Sequence, residues 1–162
     1  MSAHVEVRPP EPDEVEAVTD MWVALAADQR DHGSHLFAAA NRAAIGEALA
    51  RQLVVGGLRV AAGDDGDLLG FVSFALDAGR YESDAVRGVV RNIYVHPGAR
   101  NRGVGGRLLD AAEEALAAEG AEVIRLEAMA ANDAARRFYE RRGYAPHRVE
   151  FEKRVESDTR GG

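Results

Sequence analysis

The sequence predicts an α+β (α/β) fold, a β-sheet flanked by helices. Three observations predict it. Stretches that alternate apolar and polar residues recur between stretches whose apolar residues fall three and four apart, the periods of a strand and of a helix. A glycine-rich turn, Arg100-Asn101-Arg102-Gly103-Val104-Gly105-Gly106-Arg107, joins an apolar strand to an amphipathic helix. The length of 162 residues, 46% of them hydrophobic, suits one domain with a genuine core.

Val5-Glu6-Val7 alternates as a short first strand, and the prolines at 9, 10 and 12 bar a helix until Asp13, a good N-cap. Val15, Val18, Trp22 and Leu25 then mark the buried face of a helix from about Asp13 to Asp28. Residues 29–40 carry turn formers and two histidines and read as a connector, after which Asn41 is placed to cap a second helix running to about Leu53, with Ile45 and Leu49 inward. Gly56-Gly57 ends it. Two β-rich runs, 58–61 and 68–75, flank the turn formers 63–67 and read as a hairpin. A polar loop around Asp77–Asp84 leads to a central strand, Val89–Val95, closed by Pro97-Gly98. Leu108, Leu109, Ala112 and Leu116 share one face of a helix from Gly103 to Glu119, which Gly120 stops. Val123–Met129 is a further strand. Asn132 or Asp133 caps a helix ending near Arg142-Gly143, and Arg148–Val155 alternates as a last strand. No repeat or linker divides the chain, so residues 1–156 are expected to form a single domain and 157–162 a flexible tail.

Acidic residues outnumber basic ones by 27 to 20, a net charge of −7, which disfavours nucleic acid and anionic membrane surfaces as partners. No apolar run approaches a membrane span and the N-terminus lacks a signal-peptide pattern, so a cytoplasmic protein is expected. Without cysteine there is no disulfide, thiolate metal site or cysteine nucleophile, and no metal is expected.

A glycine turn between strand and helix aims unpaired backbone N–H groups at one point, where the helix dipole adds positive potential. Gly103 and Gly105 permit close approach, and Arg100, Arg102 and Arg107 supply charge for an anion such as pyrophosphate. On its own, such a turn more often makes a tight bend beneath solvated arginines. The dinucleotide pattern fails because Leu108 stands where its third glycine would be, and no Gly-Lys-Ser/Thr follows to hold a nucleoside triphosphate.

Asn92-Ile93-Tyr94-Val95-His96-Pro97, followed by Arg100-x-x-Gly103-x-Gly105 and Leu108-Leu109, strongly resembles the acetyl-CoA motif of the GNAT N-acetyltransferase superfamily. Asn132-x6-Tyr139 and Arg142-Gly143-Tyr144 are similar to the same family's later motif, and the two motifs together cover residues 89–144. The resemblance implies a mixed six- to seven-stranded sheet with about four helices, splayed between its fourth and fifth strands, with a β-bulge near Asn92–Tyr94. It further implies acetyl-CoA as cosubstrate, its pantetheine arm along Ile93, Tyr94 and Val95. The pyrophosphate would lie on the amides of Arg100, Asn101, Arg102, Gly103, Val104, Gly105 and Gly106. The expected activity is transfer of an acetyl group to a primary amine by direct attack in a ternary complex. A non-catalytic acyl-CoA-binding regulatory module is the alternative.

Asn132 and Tyr139 are seven residues apart, within about 20° of one helical face. Asn132 serves as a helix cap, a pantetheine contact, or both. For Tyr139, core packing beside Phe138 competes with the role that the resemblance implies, proton donor to the departing thiolate. A lysine-type amine of pKa ~10.4 lies about 4.6 kcal/mol from neutrality at pH 7, against about 1.4 kcal/mol for an α-amine near 8. A base therefore matters more for the first. Glu127 is the best candidate, sharing its strand face with Arg125 and Met129. A plain ion pair with Arg125 or Arg91 weighs equally, and Asn92 could instead orient a water. His32 and His35 sit in the connector that lines the acceptor pocket in this family, as potential bases or acceptor contacts; solvated loop histidines are the simpler account. Tyr81 and Glu82 are further candidates for the acceptor border, and His96 and His147 are read as surface residues. The acceptor, a small molecule or a peptide amine, stays open. So does a homodimer through the last strand or its edge.

Overall fold

A computed structural model describes residues 4–77, 79 and 81–155; the tail assigned to 157–162 lies outside them. The chain runs β1 (Glu6–Arg8), α1 (Val15–Arg30), α2 (Arg42–Val54), β2 (Leu58–Ala62), β3 (Leu68–Asp77), β4 (Arg87–Val95), α3 (Val104–Ala118), β5 (Val123–Leu126) and α4 (Asp133–Arg141). The strands form one sheet in the order β1-β2-β3-β4-β5. The first four pair antiparallel and β5 pairs parallel to β4. The switch follows from the connections. A short turn joins β2 to β3, whereas β4 reaches β5 through α3, the crossover a parallel neighbour requires.

The period-2 alternation of the strands sends side chains to both faces, and a core forms on each. On one face Leu58, Val60, Phe71 and Tyr94 meet Val18, Met21 and Trp22 of α1 and Leu49 of α2. On the other Ala61, Val72, Phe74 and Val90 meet Val104, Leu108, Leu109, Ala112 and Leu116 of α3. Gly70 lets α3 and β4 come close: a Cβ there would lie 2.4 Å from the Tyr94 carbonyl oxygen. Among the described residues no helix is long and apolar enough to cross a membrane.

The α+β class and the four helices stand as expected, but the sheet has five strands among the described residues, not six or seven. The expected last strand, Arg148–Val155, has no ladder partner, and Val149, Phe151 and Val155 are exposed. Alternation equips a segment to be a strand; a neighbouring edge makes it one. β5 also stops at Leu126 instead of Met129, because β4 no longer runs beside it. Two caps differ. Ahead of α1 the Glu14 carboxylate accepts from the Glu11 N–H (2.8 Å) and pairs with Arg8, and neither Asp13 nor any other side chain caps the helix. At α2 the Asn41 amide donates to the Phe37 carbonyl and does not cap the helix.

Candidate active site

β4 carries one extra residue. Ser73 opposes Asn92 and Phe74 opposes Val90, so Arg91 bulges out, one position before the expected range. The last β4–β5 pair is Val90 with Leu126, and β4 continues to Val95 alone. The β4–β5 ladder therefore ends there and leaves a gap along the rest of β4, between the two strands where the splay was expected.

The ladder decides which backbone groups face that gap. The His96 N–H donates to the Leu69 carbonyl (2.8 Å), so in the Gly70↔Val95 register Tyr94 and Asn92 are the next residues bonded to β3. Ile93 and Val95 then turn their N–H and C=O groups away from β3, into the gap. The Tyr94 backbone is used within the sheet, and its ring is buried on the α1 side. Arg100 confirms the direction of Val95: its Nε donates to the Val95 carbonyl (2.9 Å), while its guanidinium lies 3.5 Å from Asp28 and over the Tyr94 ring.

At the mouth of the gap the chain turns sharply into α3. Asn101 and Gly103 both have positive φ, 64° and 78°, and Gly103 directly precedes the helix. A Cβ on Gly103 would meet nothing within 4 Å, so the space beside it is open. Gly105 and Gly106 face the protein. A Cβ on Gly105 would touch Phe138 and Val95, and one on Gly106 would lie 2.8 Å from the Arg142 guanidinium. Val104 has its side chain in the α3 core. Of the three arginines, Arg107 donates to the Val5 carbonyl and Arg100 is engaged as above; Arg102 alone has no polar side-chain contact among the described residues.

Across the gap stands α4. Asn132 caps it, its Oδ1 accepting from the Ala135 N–H (3.1 Å). Tyr139 packs beside Phe138 and Tyr144, with ring centroids 5.4 and 6.1 Å away, on the rim of the α3 core. Its hydroxyl has no hydrogen-bond partner among the described residues, yet it is not sealed from solvent. Burial pushes the phenol up to about 12. Tyr139 is thus a packed ring with an unengaged hydroxyl that holds its proton firmly. The neighbouring Tyr144 hydroxyl is engaged, donating to Glu113 (2.6 Å).

Glu127 is exposed, immediately beyond the end of β5. Arg125 is committed to Asp77 (2.8 Å), and among the described residues neither Glu127 nor Arg91 takes part in an ion pair. His35 binds Glu152 (2.9 Å), tying the connector to the C-terminal segment, whereas His32 has no side-chain partner among the described residues. Tyr81 and Glu82 lie elsewhere. They line a recess of about 350 Å³ with Asp77, Asp84, Arg87 and Glu122, at the paired end of β4 and β5. Among the described residues no group of His, Asp or Glu is arranged to hold a metal ion. Two contacts were not foreseen from the sequence. Arg142 braces α4 against α3 through the Gly106 carbonyl and Asp110. Ser73 holds Asn92, and its one sequence signal is a lone hydroxyl within the apolar run 68–76.

Antiparallel strands, a parallel fifth strand splayed from the fourth, and a left-handed glycine turn at the mouth of the gap define the acyl-CoA N-acyltransferase class of fold. A family model for the acetyltransferase (GNAT) family matches residues 5–144, and the chain belongs to that family. A GCN5-related N-acetyltransferase from Ralstonia eutropha JMP134 is similar at 26% identity over 94% of this chain and 99% of its own, with a TM-score of 0.73. Two more distant structures share the fold. A point mutant of the Bacillus halodurans protein BH1408 superposes with a TM-score of 0.81 at 13% identity, over 93% of this chain and 99% of its own. The aminoglycoside N-acetyltransferase AAC(6')-Iy in complex with CoA superposes with a TM-score of 0.72 at 19% identity, over 95% and 97%. No sequence match is found among curated proteins.

Proposed function

We propose that the protein is an acetyl-CoA-dependent N-acetyltransferase acting on a primary amine by direct attack in a ternary complex. One observation carries the reading. The backbone groups of Ile93 and Val95 that turn away from β3 line a gap that leads to the open space beside Gly103. That channel suits an extended amide-bearing arm ending in a pyrophosphate, which is the outline of CoA. When bound, acetyl-CoA supplies the activated acyl group as a thioester.

Ile93 and Val95 would hydrogen-bond the pantetheine amides, and Arg100 would release the Val95 carbonyl to do so. The amides from Arg100 through Gly106, at the positive end of α3, would hold the phosphates, with Arg102 adding charge. Asn132 keeps its amide nitrogen for the arm while its oxygen caps α4. Tyr139 would give its proton to the departing sulfur. At pH 7–9 a phenol near 12 is protonated and has no competing acceptor. Glu127, without an ion-pair partner among the described residues, would take the proton from the amine, directly or through water. A small-molecule acceptor has a precedent in the fold, since AAC(6')-Iy has been captured with the bisubstrate analogue CoA-S-monomethyl-acetylneamine.

The test is a thiol-release assay with acetyl-CoA against a panel of amines, run beside CoA calorimetry. Tyr139→Phe is expected to lower kcat by about 10²–10⁴-fold with CoA affinity intact. Tight CoA binding without turnover of any amine would refute the enzyme reading and leave the regulatory module.

A further inference from the structure

α4 carries Tyr139, with Asn132 as its cap, yet none of its residues is buried. Phe138 and Tyr139 reach the rim of the α3 core, and apart from Ala135 the other side chains of the helix are exposed. A helix with so little apolar contact rocks on its neighbours unless something else fixes it. Among the described residues two polar side chains tie its C-terminal turn to another element, and both go to α3. The Arg142 Nη2 donates to the Gly106 carbonyl (3.1 Å) and to Asp110, and the Tyr144 hydroxyl donates to Glu113 (2.6 Å). Gly106, Asp110 and Glu113 follow one another at helical spacing, so they form a single stripe along α3. The backbone N–H groups of Arg142 and Tyr144 both donate to the Tyr139 carbonyl, at 3.0 Å each. The two anchors therefore grip the peptide of Tyr139 itself.

Gly106 shows what this grip requires. It lies in the first turn of α3, buried and without the positive φ that would call for glycine. Within a helix glycine is less stable than alanine, so the helix alone gives no reason for it. A side chain there would displace the Arg142 guanidinium, which lies 2.8 Å from the place of a Cβ. The missing side chain is a seat for that group.

We propose that Arg142 is a positioning residue for Tyr139: seated against Gly106 and neutralised by Asp110, it fixes the end of α4 that bears the phenol relative to α3. Because α3 begins at the turn that would hold the phosphates, the seat ties the two ends of the site together, the phosphate end and the acid at the sulfur. Arg142 acts through the helix, and Tyr144 is the second anchor that keeps α4 docked when the first is lost. The assignment rests on the acyltransferase reading, in which Tyr139 gives its proton to the departing thiolate.

The test follows the Tyr139 phenol of the full chain by NMR of isotope-labelled tyrosine, with Tyr139→Phe to assign its signal. Arg142→Ala is expected to let α4 lift and water reach the phenol, moving its titration from about 12 toward 10. Gly106→Ala, whose methyl pushes the flexible end of Arg142 aside and leaves the helix intact, is expected to do the same. The double variant should shift no further than either alone. In the thiol-release assay with the fastest amine of the panel, Arg142→Ala should lower kcat on the order of tenfold with CoA affinity unchanged, the mark of a misplaced acid. A Tyr139 titration that stays near 12 in Arg142→Ala, or a Gly106→Ala shift that adds to that of Arg142→Ala in the double variant, overturns the assignment. A parent chain that releases no thiol with any amine would instead bring down the acyltransferase reading, and the positioning role with it.

Discussion

Replacing Tyr139 with phenylalanine separates its proton from its packing, because the hydroxyl has no partner among the described residues to lose. At pH 8.5 the variant is expected to unfold within about 0.5 kcal/mol of the parent. At high pH the two part. Burial raises the phenol from 10 to about 12, so the folded state holds the proton more tightly than the unfolded chain does. The stabilisation this carries is whole below pH 10 and is lost as pH rises toward 12. At about 1.36 kcal/mol per pH unit, and allowing for partial titration at each end, the parent should lose about 2 kcal/mol more than Tyr139→Phe between pH 8.5 and 11.5. Urea unfolding at both pH values measures it. The comparison between the two chains removes the arginines and other tyrosines, which titrate in both. Equal alkaline losses would mean that the phenol is not buried as described, and would also undercut its standing as a retained acid. The same proton predicts that Tyr139 places no alkaline limb on the rate below about pH 11.

Three further outcomes follow from the geometry. Gly103→Val forces a β-branched residue into a left-handed conformation, at a cost of about 1–2 kcal/mol in urea unfolding. Its side chain also fills the open space beside the turn, so calorimetry should show CoA affinity falling at least tenfold in a folded protein. Glu127→Gln should lower kcat/KM by about 10²-fold for an alkylamine of pKa near 10 and by less than tenfold for a peptide α-amine, because only the first lies several kcal/mol from neutrality. Leu108→Ala removes a fully buried side chain from between α3 and the sheet and should cost about 2–5 kcal/mol of unfolding free energy, read from the same denaturation curves.

What was legible in the sequence was local. The α3 period, the stop at Gly120, the glycine turn at Gly103 and the Asn132–Tyr139 spacing are all properties of a few neighbouring residues, and each has its counterpart in the structure. What was misread depends on a distant partner. Arg148–Val155 alternates as well as any strand here, yet no edge lies beside it. Asp13 is an excellent cap in isolation, but Arg8 and Glu11 hold Glu14 at that helix start instead. Arg125 could have claimed Glu127, and Asp77, 48 residues away, claims it. The bond from Asn92 to Ser73 spans 19 residues and two strands, so nothing in either residue's neighbourhood announces it.

The single-sided pairing of β5 has a consequence for native-state breathing. Its backbone pairs with the sheet through four ladder residues on one edge, in the parallel arrangement, whereas β3 is paired along both edges. Its amides should exchange with solvent well before those of β3, through local opening that leaves both cores intact. The wall of the gap is therefore one of the sheet's two short, one-edged strands, the other being β1. Widening to admit a ligand then draws on a short, one-edged ladder and leaves the antiparallel frame at rest.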